Sequence, residues 1–328
     1  MNDQNQSGKV SSSRRKGRGC LFWLGTSLAT LLGLLLVGYI YEPIAEAADA
    51  KAYSPPGQLV DVGGYRLHIN CTGTGGPTVV IVAGLGDWST TWRGYVQPEV
   101  AKSTRVCTYD RPGLGWSEAA PLPGDAAQFA KELHTLLQNA NIPGPYVMVG
   151  HSLGGFVVRI FANDYASEVA GVVLIDSMNP KQVTQPPEDI QSSSQSQPFS
   201  FQATLARFGI ARLLVKIPGI APSVPASEAA YYPLYVRPQS LQATDNEFQT
   251  LPASAAQAAA VKTFGDLPLI VLTAKLNDIP SWPEWQNELL QLSSNSEHLF
   301  AENSGHNVQV DEPDAAVAAI LKMVELVR

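Results

Sequence analysis

Five residues near the middle of the chain place a serine between two glycines at a spacing that suits nucleophilic chemistry. They read Gly-His-Ser-Leu-Gly at 150–154, with Ser152 at the centre and Gly150 and Gly154 on either side. An apolar run precedes them and a helix-like stretch follows. A serine on so tight a strand-to-helix turn takes a strained backbone conformation, and its hydroxyl lies beside the N-terminus of a helix. We therefore predict that Ser152 is a nucleophile rather than part of a surface turn.

A serine hydroxyl is a weak nucleophile at neutral pH until a base removes its proton. Of the five histidines, His306 has the most suitable position, in Asn-Ser-Gly-His at 303–306, after the last apolar strand and before the terminal helix. We predict that His306 is this base. The other histidines lie at positions that favour the role less: His68 in an early hairpin, His134 on an amphipathic helix, His151 at the variable elbow position and His298 on the last strand.

A third group should orient the imidazole and stabilise its charged form. Asp278 follows the apolar strand at 267–274, in a loop at the same edge of the sheet as Ser152, and we predict this role for it. Asp176 ends the strand after the elbow helix and is the alternative acid. Its other interpretation is a buried hydrogen-bonding residue in the turn that follows that strand. The order serine, aspartate, histidine is the one expected for this type of fold.

Backbone N–H groups that could stabilise an oxyanion occur at two places. One is Leu153, directly after the nucleophile, and the other is Leu85, in the glycine-rich loop that follows the apolar strand at 78–83. Neither this loop nor any other segment has the glycine and lysine spacing of a nucleotide phosphate site. No clustered His, Cys or Asp spacing indicates a metal site either. We therefore expect neither cofactor nor metal.

Short apolar strands alternate with helical stretches over most of the chain, which predicts an α/β fold with a mostly parallel central sheet and flanking helices. A hairpin with a Gly-Gly turn at 59–70 precedes the parallel strands. The stretch 178–265 breaks the alternation because it contains no convincing strand. A structureless loop of that length is improbable inside a compact domain. We predict that it is an inserted helical cap over the site.

The N-terminal part differs from the rest in charge and hydropathy. Residues 21–41 carry no formal charge and are long enough for one membrane-spanning helix. Four basic residues at 14–18 precede them, which by the positive-inside rule keeps the N-terminus in the cytoplasm. A cleaved signal peptide is the alternative, because Ala-x-Ala sequences follow at 45–50. Under either interpretation the catalytic part lies outside the cytoplasm, as a single-pass membrane protein or as a secreted one.

These observations divide the chain into a cytoplasmic basic tail at 1–20, the membrane helix or signal anchor at 21–41, a linker at 42–57 and a catalytic domain at 58–328. The lipid bilayer is the expected partner of residues 21–41. The net charge of the whole chain is −7. Nucleic acid is therefore not expected as a partner, because phosphate binding needs a basic surface.

Four stretches together resemble the α/β-hydrolase superfamily, in its capped, esterase-like branch. They are Val-Ile-Val-Ala-Gly-Leu-Gly at 80–86, Tyr-Asp-Arg-Pro-Gly-Leu-Gly-Trp-Ser at 109–117, Gly-His-Ser-Leu-Gly-Gly at 150–155 and Ser-Gly-His at 304–306. The resemblance implies Ser152 as nucleophile, His306 as base and Asp278 as acid. It implies the N–H groups of Leu85 and Leu153 as the oxyanion donors.

The same resemblance has two further implications. Many relatives have His-Gly where this chain has Ala83-Gly84, and this should leave a hole built from backbone N–H groups intact. The second and fourth strands are expected to be neighbours, and they carry Cys71 and Cys107. A disulfide between these two residues is therefore implied, in a domain exported to where disulfides persist.

The favoured function is a serine hydrolase that cleaves a small-molecule carboxylic ester through an acyl-enzyme on Ser152. Leucines and tyrosines of the predicted cap indicate a substrate with an apolar group. The alternatives keep the same three residues but cleave an amide, a peptide or a carbon–carbon bond, or make the chain a non-catalytic, membrane-tethered binding domain. Epoxide hydrolase chemistry is disfavoured, because those relatives have an aspartate where this chain has Ser152.

Overall fold

An eight-stranded sheet lies at the centre of the residues that the structure, a computed structural model, describes: 16–185, 199–217 and 224–328. The strands are β1 (Gln58–Asp61), β2 (Arg66–Thr72), β3 (Thr78–Val82), β4 (Val106–Tyr109), β5 (Tyr146–His151), β6 (Val169–Ile175), β7 (Leu269–Ala274) and β8 (Ser296–Ala301). Their order across the sheet is β1-β2-β4-β3-β5-β6-β7-β8. Only the β1–β2 and β2–β4 pairs are antiparallel. The predicted mostly parallel sheet is confirmed.

The described helices are α1 (Lys16–Ala52), α2 (Thr90–Arg93), α3 (Val96–Ala101), α4 (Ala126–Asn139), α5 (Gly154–Asp164), α6 (Lys181–Thr184), α7 (Phe199–Ala206), α8 (Ile210–Leu214), α9 (Tyr232–Tyr235), α10 (Pro238–Ala260), α11 (Trp282–Leu289), α12 (Val308–Asp311) and α13 (Pro313–Leu326). Helix α4 shows why such segments form. Asp125 caps its first turn by accepting the N–H of Gln128 at 3.0 Å, and Phe129 and Leu133 lie on its buried face.

Helices cover both faces of the sheet, and this explains the continuous apolar runs of its central strands. In β3, Val80 and Val82 belong to the core under α4, α5 and α10, whereas Val79 and Ile81 belong to the opposite core under α2, α3 and α13. Side chains alternate between the faces of a strand, so a strand buried on both sides is apolar at every position.

The antiparallel pairing of β2 with β4 brings Cys71 directly opposite Cys107. The two residues form a disulfide with their Cα atoms 4.0 Å apart. This is the pairing that the resemblance implies. The disulfide joins β2, the second strand from the edge of the sheet, to β4, the first strand of the parallel part.

We expect the double variant Cys71→Ala and Cys107→Ala to lower the free energy of unfolding by about 2–4 kcal/mol, because the unfolded chain loses a covalent loop closure. Denaturation of the full chain in detergent, with and without reductant, measures this. Cys20→Ser is the control and should unfold like the unchanged chain. Equal stability with and without reductant would contradict the prediction.

The described parts of the region 178–265 are helical or irregular and contain no strand. They comprise α6 to α10, of which α10 is the longest and packs against α4 and α5. Residues 186–198 and 218–223 of the predicted cap, and residues 1–15 of the predicted basic tail, lie outside the described residues.

Helix α1 is longer than the predicted membrane segment. It continues through residues 42–52, which were predicted as part of a linker. By length and composition, Leu21–Ala52 could cross a membrane. The charged end of the helix contacts the cap, since Glu42 and Asp49 form ion pairs with Arg212 of α8. This contact with the cap explains why residues 42–52 are helical, although the sequence predicts a linker there.

Candidate active site

The turn between β5 and α5 holds Ser152 at a φ of +52°, in the left-handed region that non-glycine residues rarely adopt. The flanking glycines make the turn possible. A Cβ on Gly154 would lie 2.2 Å from the carbonyl oxygen of Val82, and one on Gly150 would lie 2.8 Å from Cα of Gly155. Strand and helix therefore approach each other only because both positions lack a side chain.

A continuous line of hydrogen bonds connects Ser152, His306 and Asp176. His306 Nε2 lies 3.0 Å from Ser152 Oγ, and His306 Nδ1 lies 2.7 Å from Asp176 Oδ2. Asp176 is fully buried, whereas the side chain of His306 is 40% exposed. With Asp176 ionised, Nδ1–H donates to the carboxylate and Nε2 accepts the serine proton. These contacts are the ones that the predicted activation of Ser152 by His306 requires.

The carboxylate that contacts His306 is that of Asp176, the alternative acid of the sequence analysis, so the prediction that places Asp278 at this position is wrong. In the sheet, β6 lies between β5 and β7, and Asp176 at the end of β6 is therefore one strand closer to Ser152. Asp278 lies beyond the end of β7 and is exposed. The loop after β7 contributes its neighbour Asn277 instead, whose Nδ2 donates to Asp176 Oδ2 at 2.9 Å.

Asp176 is held by donors on both carboxylate oxygens. Oδ1 accepts the backbone N–H of Ala274 at 2.9 Å and the indole N–H of Trp282 at 2.7 Å. Oδ2 accepts from Asn277 and His306. An ionised carboxylate accepts and does not donate, so every one of these contacts matches the charged form. They also fix the oxygen that faces His306.

The loop after β3 lies against the nucleophile, because β3 and β5 are parallel neighbours with Val82 opposite Gly150. A Cβ on Gly84 would lie 3.1 Å from Cβ of Ser152. The predicted oxyanion donors, Leu85 in this loop and Leu153 after the nucleophile, are therefore at the same edge of the sheet. Within the described part of the chain, neither N–H donates to another protein group. Both are free to bind an oxyanion.

A family model for the alpha/beta hydrolase fold matches residues 77–313. The chain belongs to the α/β-hydrolase family. Its curated relatives include the uncharacterized protein YqjL of Bacillus subtilis, 27% identical over 255 residues that are 76% of this chain and 83% of YqjL. Another is the uncharacterized protein C23C11.06c of Schizosaccharomyces pombe, 32% identical over 181 residues, which are 46% of this chain but only 34% of that protein.

Solved structures share the fold of this α/β-hydrolase. The alignment with the epoxide hydrolase CorEH covers 83% of this chain and 99% of the CorEH chain, with a TM-score of 0.62 and 22% sequence identity. The alignment with an esterase from Thermogutta terrifontis covers 82% of this chain and 98% of the esterase chain, with a TM-score of 0.61 and 20% sequence identity. At such identities the likeness establishes the fold, and the reaction must be argued from the site itself.

A buried ion pair supports the oxyanion loop of this α/β-hydrolase, which is the segment 83–87 that follows β3 and carries the predicted donor Leu85. Arg111, which follows β4, donates to Glu247 of α10, with Nε 2.6 Å from Oε1. The same guanidinium donates to the carbonyl oxygens of Ala83 and Gly84, and Glu247 accepts the N–H of Gly86 at 2.8 Å. The pair therefore holds the backbone on both sides of Leu85. Local sequence patterns do not indicate the Arg111–Glu247 pair, because the two residues are 136 positions apart in the chain.

The loop that carries Arg111 is itself anchored by Asp110. This buried carboxylate accepts Nδ1–H of His68 at 2.8 Å and the N–H groups of Ser89 and Trp116. Burial is the largest influence and lowers the pKa of His68, but the charge of Asp110 and the hydrogen bonds to Asp110 and to the carbonyl oxygen of Pro56 together outweigh it and leave that pKa raised. His68 is thus a structural residue of the hydrolase.

His151, next to the nucleophile, has a positioning role that the sequence analysis missed. Its Nε2 lies 2.8 Å from the carbonyl oxygen of His306. Burial, followed by the proximity of His306, lowers the pKa of His151, so its ring is neutral. The neutral ring donates Nε2–H to that carbonyl, which fixes the loop carrying the base. The signal available in the sequence was only a histidine adjacent to the elbow serine.

A cavity of about 610 Å³ adjoins the oxyanion loop. It lies between the loop containing Leu85 and the cap, and Asn307 next to the base also lines it. The cap contributes mostly apolar residues to its wall: Leu205, Ala211, Leu214, Val215, Val236 and Leu241. Asp87, Thr91 and Tyr235 form a polar part, where burial raises the pKa of Asp87 to about 6. This cavity, which borders the site through Leu85 and Asn307 and is not lined by Ser152 or His306, can therefore accommodate a largely apolar molecule with a polar group.

Proposed function

We propose that this α/β-hydrolase cleaves carboxylic esters through an acyl-enzyme on Ser152. The observation that carries the proposal is the hydrogen-bonded line from Ser152 Oγ through His306 to Asp176. Its chemistry matches a serine nucleophile, a histidine base and a carboxylate that stabilises the imidazolium. The alternative of a non-catalytic binding domain gives no reason for this arrangement.

The proposed reaction begins when Ser152 Oγ attacks the ester carbonyl carbon and His306 Nε2 takes the hydroxyl proton. The negative charge on the former carbonyl oxygen is stabilised by the N–H groups of Leu85 and Leu153. His306 then gives the proton to the leaving alkoxide, and the acyl group stays on Ser152. Water, deprotonated by His306 Nε2, then attacks the acyl carbon, and His306 returns that proton to Ser152 Oγ as the bond to the acyl group breaks and the acid leaves.

The apolar wall of the cavity supports an ester with an acyl or alcohol chain rather than a small polar one. Leu214 and Tyr235, one of the leucines and one of the tyrosines of the predicted cap, line the cavity. Tyr231 instead packs against Tyr53 and Trp116. An epoxide hydrolase reaction is not proposed, because the nucleophile position carries Ser152 in place of an aspartate.

A fluorophosphonate probe tests for an activated serine in the full chain in detergent. We expect covalent labelling of the unchanged protein and none in Ser152→Ala or His306→Ala, because the probe needs a deprotonated serine. Ser167→Ala, at an exposed serine, is the matched control and should label fully. A separate sample that has not been exposed to the probe is then given p-nitrophenyl esters of increasing chain length and an acyl anilide. Absence of labelling in folded protein, or faster cleavage of the anilide than of every ester, would contradict the proposal.

A further inference from the structure

The cap contacts helix α1 inside its uncharged segment. The turn between α7 and α8 carries Phe208, whose ring centroid lies 6.1 Å from that of Tyr39. A Cβ on Gly38 would lie only 2.1 Å from the carbonyl oxygen of Phe208, so the two backbones are in direct contact. Gly38 and Tyr39 belong to the charge-free residues 21–41, close to their C-terminal end. If α1 crosses a bilayer, this part of the cap lies where the helix leaves the hydrocarbon.

Ion pairs hold the cap at this level. Arg212 of α8 donates to Glu42 at 2.8 and 2.9 Å and lies 2.6 Å from Asp49. Glu42, the first charged residue after the uncharged segment, is 2% exposed, and Arg212 is 8% exposed. Such well-shielded pairs are screened by solvent less than surface ones. These ion pairs therefore fix the position of α8 along α1.

The outer side of the same cap segment is apolar and basic. Phe201, Leu213 and Ile217 are 53%, 66% and 47% exposed, and Arg207 and Lys216 are exposed beside them. Large apolar side chains flanked by cations are typical of surfaces that lie in a membrane interface, where the cations meet lipid phosphates. Water would be an unfavourable neighbour for these side chains.

The inner side of this segment is the wall of the cavity next to the oxyanion loop. Leu205 of α7 and Ala211, Leu214 and Val215 in and after α8 line that cavity. Leu214 is also 39% exposed, so the apolar wall reaches the outer surface at this point. One short segment thus contacts α1, borders the site and presents apolar side chains outward.

We propose that residues 199–217 lie in the interface of the bilayer that α1 crosses, and that the cavity takes its substrate from that bilayer. The substrate class is then a membrane-resident lipid ester rather than a water-soluble one. The second part rests on the proposed ester hydrolysis, whereas the first part does not. The test therefore has one readout for membrane contact and another for substrate.

Membrane contact is measured on the full chain in vesicles of phosphatidylcholine with phosphatidylglycerol. A nitrobenzoxadiazole fluorophore is attached at Leu213→Cys in a Cys20→Ser background, which leaves Cys71 and Cys107 in their disulfide. Nitroxide-bearing lipids should quench it strongly. The matched control is Leu326→Cys, at a leucine of α13 that is 60% exposed. Equal quenching at the two positions would overturn the proposal.

Substrate origin is measured with Leu213→Glu and Ile217→Glu. A carboxylate at these positions should weaken contact with the bilayer and leave the triad unchanged. We expect hydrolysis of a long-chain fluorogenic ester embedded in the vesicles to fall at least about tenfold, and hydrolysis of soluble p-nitrophenyl butyrate to stay within about twofold. Leu326→Glu should change neither rate.

The outcomes separate the two proposals. A protein that cleaves neither ester contradicts ester hydrolysis, while the quenching result still supports or overturns membrane contact. Equal losses on both esters would indicate a structural defect and overturn uptake from the bilayer. Unchanged rates on both esters in the glutamate variants would overturn it as well.

Discussion

Asp176→Asn is expected to lower kcat for ester hydrolysis by about 10⁴-fold, whereas Asp278→Asn should leave it unchanged. Asparagine keeps the size of Asp176 but replaces one oxygen by a donor. The N–H of Ala274 and the indole of Trp282 both require an acceptor at Oδ1, so the amide oxygen stays there. The new NH₂ group therefore faces His306 Nδ1. This nitrogen must then accept, the ring proton moves to Nε2, and Nε2 can no longer take the proton of Ser152.

Steady-state kinetics on a p-nitrophenyl ester, together with thermal unfolding of each variant, measure this. The two substitutions are chemically identical and follow neighbouring strands, so Asp278→Asn controls for general effects of losing a carboxylate near the sheet edge. A large loss in Asp278→Asn with full activity in Asp176→Asn would assign the acid to Asp278 after all. A similar small loss in both would mean that His306 is oriented by the backbone alone.

The sequence could place the acid at one edge of the sheet but could not choose between the two aspartates. Asp176 directly follows one apolar strand and Asp278 lies in the loop after the next, and either position brings a carboxylate to the same edge of the sheet. The choice depends on which strand lies beside β5 and on which side chain points toward His306. Strand order and side-chain direction are tertiary properties, whereas Ser152 and its glycines form a local turn that the sequence encodes directly.

Local patterns also failed where distant residues decide the structure. Residues 42–57 were predicted as a linker, but the helix continues through residues 42–52, where Arg212 of the cap forms ion pairs with Glu42 and Asp49. The disulfide was implied only because the resemblance supplied a strand order. Helical cap segments were predicted from the absence of strands, and which of their faces would meet the cavity could not be read from so irregular a stretch.

Removal of the guanidinium in Arg111→Met should destabilise the protein by about 3–5 kcal/mol, because Glu247 is left as an unpaired charge in a buried site. Arg111 is 1% exposed. The double variant Arg111→Met and Glu247→Met should recover much of that loss, since no charge then remains buried. Chemical denaturation of the full chain in detergent is measured for the unchanged protein, Arg111→Met, Glu247→Met and the double variant, and these four values give the coupling between the two residues.

The surface pair Lys181–Glu288 is the matched control, with side chains that are 48% and 35% exposed. Lys181→Met should change stability by less than about 1 kcal/mol, because water screens the pair and replaces its hydrogen bonds. If Arg111→Met lowers the free energy of unfolding no more than Lys181→Met does, the prediction that burial makes the Arg111–Glu247 pair costly to break is wrong.

Activity in the double variant separates the stability of the pair from its role in the site. Without Arg111 the carbonyl oxygens of Ala83 and Gly84 lose their donor, and without Glu247 the N–H of Gly86 loses its acceptor. The N–H of Leu85 lies between these points and would no longer be held toward the oxyanion. We expect kcat to fall by about 10²–10³-fold with little change in KM, because this donor acts on the transition state more than on the bound ester. A double variant with full kcat would show that the loop holds its own conformation. A loss in kcat would mean that a cap residue, Glu247, helps to set the oxyanion hole, so that the cap contributes to the chemical step as well as to the walls of the cavity.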